Sequence, residues 1–252
     1  MHKIFGYECK RLLWNKLFLG LLLVTLFYGW QVLNGVTILG VSHTAPFSPW
    51  SFGDYLSRVL PFIWIGTLFF LTFFTSAKAQ RVAVLTDAAQ MPPRRYAQVR
   101  CAAVLAGAGL LAVACLMEAT LFYGWYFGWY AWGELLFPAL VILVPALIFS
   151  LGSGWLIGGS RPWLIYIWML LPFVCKALPL PEPLGIWTGN LFTEYPLLQG
   201  SLDPDFYLPG TVVLAQCGLL VAGSLLLATQ SGKRGGRRMV NGRKWRVPKM
   251  KE

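Results

Sequence analysis

The chain has 252 residues, 57% of them hydrophobic and only 12% charged, about half the charged share of soluble domains. Its twelve Trp, seventeen Phe and ten Tyr are spread through apolar runs of about twenty residues, which excludes a soluble core, and no alternation over about ten residues recurs, which excludes a membrane β-barrel. The net charge of +11 is gathered at the ends of the apolar runs, the pattern of membrane topology and anionic headgroups rather than of nucleic-acid binding.

The five cysteines, Cys9, Cys101, Cys115, Cys175 and Cys217, form no CxxC pair and read as small apolar residues, not as a disulfide or metal framework. The first apolar run is too long for a signal h-region and no A-x-A-like site follows, so no cleavage is expected. Residues 3–16 place Ile4, Phe5, Cys9, Leu12 and Leu13 on one side of a helix and Lys3, Lys10 and Arg11 on the other. This segment reads either as an amphipathic helix lying on the cytoplasmic surface or as the cytosolic end of the first span. The first span is expected over about 17–39. Along it Thr25, Tyr28, Gln31 and Asn34 read as one polar face, which serves either helix–helix hydrogen bonding or the lining of a substrate path. Residues 41–57, with Pro46, Pro49, Trp50 and Asp54, read as an external loop in which His43 has no second ligand nearby. A second span over about 58–75 carries Pro61 near its outer end.

Residues 76–100 form a long polar interruption with Lys78, Arg81, Arg94, Arg95 and Arg100 against the single acid Asp87. Such a basic excess in a short loop places it in the cytoplasm. Val82, Leu85 and Ala89 give one apolar helical stripe before Pro92 and Pro93 stop the helix, so a short helix is presented to the cytosol. The alternative is an ordinary basic loop with a fraying helix and no partner. The stretch Val84-Leu85-Thr86-Asp87-Ala88-Ala89-Gln90-Met91-Pro92-Pro93-Arg94-Arg95, placed between the second and third spans, resembles the corresponding loop of the type 2 ABC exporter permeases. The resemblance implies a coupling helix that docks on a separate ATPase subunit, with Arg81, Val82, Leu85, Asp87, Arg94 and Arg95 as the coupling residues. Gln80 departs from the glutamate that relatives often carry there. A starting amphipathic elbow, as such permeases commonly have, agrees with the surface-helix reading of residues 3–16.

The third span, about 101–123, carries Ala103, Gly107, Ala108 and Ala112, small residues suited to close helix packing. Glu118 near its outer end either binds a cationic substrate group or snorkels and pairs internally. The aromatic run with Trp125, Trp129 and Trp132 has the composition of an interfacial belt. A fourth span over about 135–158 holds Pro138 and Pro145 and the contact motif Gly154-x-x-x-Gly158. A tight turn at 159–162 leads to a short fifth span over about 163–178, broken by Pro172. Short, Pro-broken spans often line cavities, so Trp163 and Tyr166 join Thr25, Tyr28, Gln31, Asn34 and Glu118 as candidate pathway residues. Residues 179–208 read as an irregular external loop, or as the re-entrant helical element that the resemblance implies. A sixth span over about 209–229 ends the membrane domain of residues 1–230, and 231–252 is a basic tail, expected to bind anionic lipid and too polar to fold alone.

This layout puts all the basic residues on the cytoplasmic side except Arg58 and Lys176. The expected fold is therefore all-α and polytopic, with six transmembrane helices, an N-terminal amphipathic surface helix, a cytoplasmic coupling helix and both termini inside, in a membrane that is expected to be the bacterial plasma membrane. Gly152-Ser153-Gly154 superficially suggests a serine nucleophile, but the only histidines are His2 and His43, both outside the spans, and no HExxH motif occurs. No GxxxxGK[ST] loop is present, so ATP and Mg are expected on a partner subunit and no cofactor or metal on this chain. The reading is a transporter subunit, not an enzyme, that pairs with a second permease copy or a homologous one. Its rivals are a non-transporting scaffold or immunity protein and an intramembrane hydrolase.

Overall fold

The structure is a computed structural model that describes residues 2–76, 93–178 and 180–241. Helices α1 (His2–Leu13), α2 (Lys16–Gly35), α3 (Pro49–Thr75), α4 (Pro93–Phe127) and α5 (Gly133–Ser160) are followed by the short helices α6 (Leu164–Trp168), α7 (Leu171–Ala177), α8 (Gly185–Thr188) and α9 (Asn190–Gln199), and by α10 (Gly210–Asn241). No strand occurs among the described residues. Among the described residues five helices are long and apolar enough to cross a membrane: α2 with the 3-10 turn that follows it, α3, α4, α5 and the Gly210–Thr229 part of α10.

Local chemistry sets the helix starts. Asn15 Oδ1 accepts the Leu17 N–H at 3.1 Å to cap α2, and Ser48 Oγ accepts the Trp50 N–H at 3.3 Å to cap α3. Pro49 is the first residue of α3, a position where its missing N–H leaves nothing unpaired. Hence α3 starts at Pro49 and not near residue 58, and the expected loop of 41–57 is shorter by its helical second half. Pro93 starts α4 in the same way, so residues 93–100, expected in the polar loop, are the first turns of that helix. At the far end of the chain α10 continues through Asn241, past the boundary expected at residue 230. A helix already nucleated in the membrane extends by one hydrogen bond per residue, a smaller demand than folding alone.

The expected fifth span, 163–178, is the largest correction. It is divided into α6 and α7, too short together for the roughly 20 residues that bridge a bilayer core. Pro172 lies in the first turn of α7, where its ring would clash with the carbonyl of Trp168 in a continuous helix. That freed carbonyl accepts the Trp64 indole N–H at 3.0 Å, so the break is satisfied by a side chain of α3. The broken pair still carries the chain along the bundle: Ile165 lies against Gly158 near the end of α5, and Phe173 meets Phe62 of α3 at 6.2 Å.

α3 is the central helix, with α2, α4, α5, α7, α8 and α9 packed on it. Its most apolar window is 67% buried against 17% for α10, so most of its side chains meet protein. Ala103, Ala108 and Ala112 of α4 are buried, and a Cβ on Gly107 would stand 3.1 Å from the Phe70 ring of α3. Gly154 and Gly158 of α5 lie against Leu68, Leu71 and Thr75 of α3, whereas Gly152 faces α10. There the contact is backbone on backbone, since a Cβ on Gly152 would fall 2.4 Å from the carbonyl oxygen of Gly223.

The two ends of the bundle differ. At one end α1 packs on the start of α4. At the other, residues 42–50 are stitched to 193–204: Ser42 Oγ donates to the Thr193 carbonyl, the Ala45 N–H to Asp203 Oδ1 at 3.2 Å, and the Trp50 indole to the Pro204 carbonyl at 3.0 Å. α8 and α9 turn about Gly189, whose φ of 88° suits glycine. Trp187 of α8 reaches Trp64 at 5.3 Å between ring centroids, about four turns inside the start of α3. The segment 185–199 is therefore a helical hairpin that dips beside α3, and not an irregular loop.

Candidate functional site

The densest buried polar group lies where α1, α3 and α4 meet. Glu8 stands between Phe5 and Leu12 on the apolar face of α1 and is 2% exposed, and Arg100 of α4 is 7% exposed. Tyr96 Oη donates to Glu8 Oε1 at 3.0 Å and accepts from Arg100 Nη2 at 3.1 Å. Arg100 Nε stands 3.9 Å from Glu8 Oε1, and Arg11 Nη1 lies 3.7 Å from Glu8 Oε2. The guanidinium is also sandwiched over the Tyr96 ring at 4.1 Å and the Phe74 ring at 5.2 Å, a favourable setting for a weakly hydrated cation. Burial, and secondarily the neighbouring Glu8 carboxylate, push the adjacent Cys9 thiol above its ordinary range. Arg100 is thus no solvated loop charge: it fastens α1 to the first turns of α4, directly after the 77–92 segment. Neither Glu8 nor Tyr96 was among the candidate residues. The available signal was the acid at residue 8, which lies among the apolar positions of a basic amphipathic helix.

A second polar group lies within the bundle. Tyr55 of α3 directs its hydroxyl at the Cys115 carbonyl (3.1 Å) and at Glu118 Oε2 (3.3 Å). Gly29 of α2 makes room for the carboxylate, because a Cβ there would stand 2.4 Å from Glu118 Oε2. Glu118 is therefore paired internally, across three helices. Its one hydroxyl partner has a single proton to share between two acceptors.

The remaining candidates do not converge on one cavity. Thr25 is buried and bonds the Leu21 carbonyl of its own helix at 2.7 Å, and Tyr28 packs on Phe62 at 4.6 Å. Gln31 is exposed, and Asn34 bonds the Trp30 carbonyl at 3.0 Å. The expected single polar face fails on helical geometry: each three-residue step falls about 60° short of a turn, so Thr25 and Asn34 end on opposite sides. Trp163 and Tyr166 point outward, 54% and 60% exposed. Arg81, Val82, Leu85 and Asp87 lie outside the described residues. Arg94 and Arg95 fall in the first turn of α4, with Arg95 exposed.

Ser153 Oγ donates to the Phe149 carbonyl at 2.6 Å and accepts the Trp168 indole N–H at 2.9 Å. His43 stands in the 40–48 segment beside a shallow cavity of ≈ 220 Å³ lined with Pro196, Leu197 and Gly200. Ser153 and His43 are therefore not brought together. Among the described residues no group of three His, Cys, Asp or Glu side chains could hold a metal. No family model, curated protein or solved structure matches the chain.

Proposed function

We propose that the chain is the membrane-embedded permease subunit of an ATP-driven exporter, moved by a separate cytoplasmic ATPase that docks on residues 77–92. The observation that carries this reading is the Glu8–Tyr96–Arg100 cluster at the junction of α1, α3 and α4. A displacement of the 77–92 segment enters α4 at Pro93, two turns before Arg100. The buried charges then pass it to α1, and through Asn15 to α2, instead of letting it dissipate at a solvated surface. The apolar stripe of Val82, Leu85 and Ala89 and the acid Asp87 supply a surface on which a partner subunit could pull. The position of the basic residues supports the same layout, with both termini and 77–92 in the cytoplasm and a plasma membrane as the site of action. ATP and Mg belong to the partner subunit, a second permease copy completes the transporter, and the basic tail contacts anionic lipid.

The test is purification of the full chain from its native membrane with assay of accompanying ATP hydrolysis. The expected result is a stoichiometric ATPase subunit. A chain that purifies alone, folded and inserted, would leave a scaffold as the better reading.

A further inference from the structure

Arg58 and Lys176 are the two basic residues that the charge pattern leaves on the side opposite the termini, and the structure brings them to one place. Arg58 lies one turn from Phe62 on α3, and Lys176 one turn from Phe173 on α7. The Phe62–Phe173 contact at 6.2 Å therefore sets the two cations side by side, on the same side of that contact, because the helices run in opposite directions. Among the described residues the one carboxylate near them is bonded to Arg58 alone. Asp54 is 1% exposed and holds Arg58 Nε at 2.7 Å, and the Arg58 side chain is 36% exposed. Among the described residues Lys176 makes no hydrogen bond or ion pair, although it lies in the field of both Arg58 and Asp54. One positive charge is left unmatched, and the two cations are near enough for each to feel the other's field.

Depth identifies what such a pair would meet. α3 has 27 residues, about 40 Å at 1.5 Å per residue, about 10 Å more than a bilayer core. The excess is taken at its start, where the Trp50 indole bonds the Pro204 carbonyl in the segment between α9 and α10, and Arg58 then falls within a few ångström of the headgroup boundary. Phe173 and Val174 beside Lys176 are 41% and 50% exposed, so acyl chains have access.

We infer that Arg58 and Lys176 form a binding site for a phosphate oxyanion, the guanidinium giving the directional donors and the ammonium the second charge. The inference does not depend on ATP coupling. The same phosphate chemistry can come from a lipid headgroup or from a free anion, and the experiment separates them.

The full chain is placed in phosphatidylcholine nanodiscs doped with phosphatidylglycerol, and the lipids it retains are counted by native mass spectrometry. A parallel sample in phosphatidylcholine alone receives millimolar inorganic phosphate. The tail is identical in every variant and gives a common background. Lys176→Gln, which removes no existing partner, is expected to weaken phosphatidylglycerol retention roughly tenfold, with Lys176→Arg restoring it. Arg58→Gln would strand the Asp54 carboxylate, so Arg58→Lys serves as the second variant and is expected to fall between. Retention of phosphatidylglycerol that inorganic phosphate does not displace assigns the site to a headgroup. Phosphate binding in phosphatidylcholine alone, lost in Lys176→Gln, assigns it to a free anion. Equal retention in the unaltered chain and both variants, with no phosphate bound, overturns the inference.

Discussion

Glu8 on α1 and Arg100 on α4 face one another with Arg100 Nε 3.9 Å from Glu8 Oε1, and Tyr96 Oη bonds both residues. Arg100 also lies over Phe74 in the last turns of α3, so one side chain touches the first helix of the chain, the central helix and the helix that leaves the 77–92 segment. Charges this deeply buried are held because each has the other and the Tyr96 hydroxyl as partners. They tie α1 and the last turn of α3 to the start of α4.

Removing one partner should therefore destabilise more than removing both. Glu8→Gln leaves a buried, uncompensated guanidinium and is expected to lose about 3 kcal/mol, while Tyr96→Phe loses about 1 kcal/mol. The double variant Glu8→Gln/Arg100→Gln should lose less than Glu8→Gln alone when unfolding is followed in detergent. Strict additivity would show that the pair does not interact.

Cys9 reports the same junction through its titration. Because burial and then Glu8 raise the thiol pKa, its thiolate appears only above the pH at which an ordinary thiol ionises. With the other cysteines replaced, alkylation of Cys9 is expected to rise with a midpoint above that of the unfolded chain, and Glu8→Gln should move it part of the way down. Identical midpoints in the folded and unfolded chain would contradict the placement of α1.

Glu118 tests the packing of α2. Gly29→Ala places a Cβ where Glu118 Oε2 now stands, and the crowding is expected to lower stability by about 1–3 kcal/mol. Adding Glu118→Ala should restore much of that loss in a thermal unfolding assay. A double variant no more stable than Gly29→Ala would mean that the clash lies elsewhere.

The glycines of α5 should differ in tolerance according to what they meet. Gly152 meets the backbone of Gly223, which cannot yield without separating α5 from α10, whereas Gly154 meets the ends of Leu68 and Leu71, which can rotate away. Gly152→Ala is therefore expected to lower the unfolding temperature in detergent more than Gly154→Ala does, and the reverse order would refute the backbone contact.

Much of the fold was legible because membrane helices announce themselves by composition. Apolar length located α2 and α5 to within a few residues and found α4 and α10, but it missed the first two turns of α4 and the continuation of α10 past residue 230. It misplaced the start of α3, where a proline read as loop is a good first helical residue, and it took 163–178 as one span. Pro172 signalled that break, but the Trp64 indole that makes it stable comes from a distant part of the chain. The polar groups were less legible. Spacing of three suggested a face for Thr25, Tyr28, Gln31 and Asn34 that helix geometry spreads over half the circumference. Glu8 and Tyr55 carry no motif, and their partners Arg100 and Glu118 are identified only when the helices are packed.

The role of 77–92 as the docking element is tested most directly by ATP hydrolysis that travels with the chain. Leu85→Asp and Asp87→Lys are compared with the unaltered protein at equal expression and insertion, with co-purified ATPase activity as the readout. The expected result is a folded, inserted chain that has lost most of that activity in both variants. Full retention in both would contradict the assignment of this segment as the coupling element.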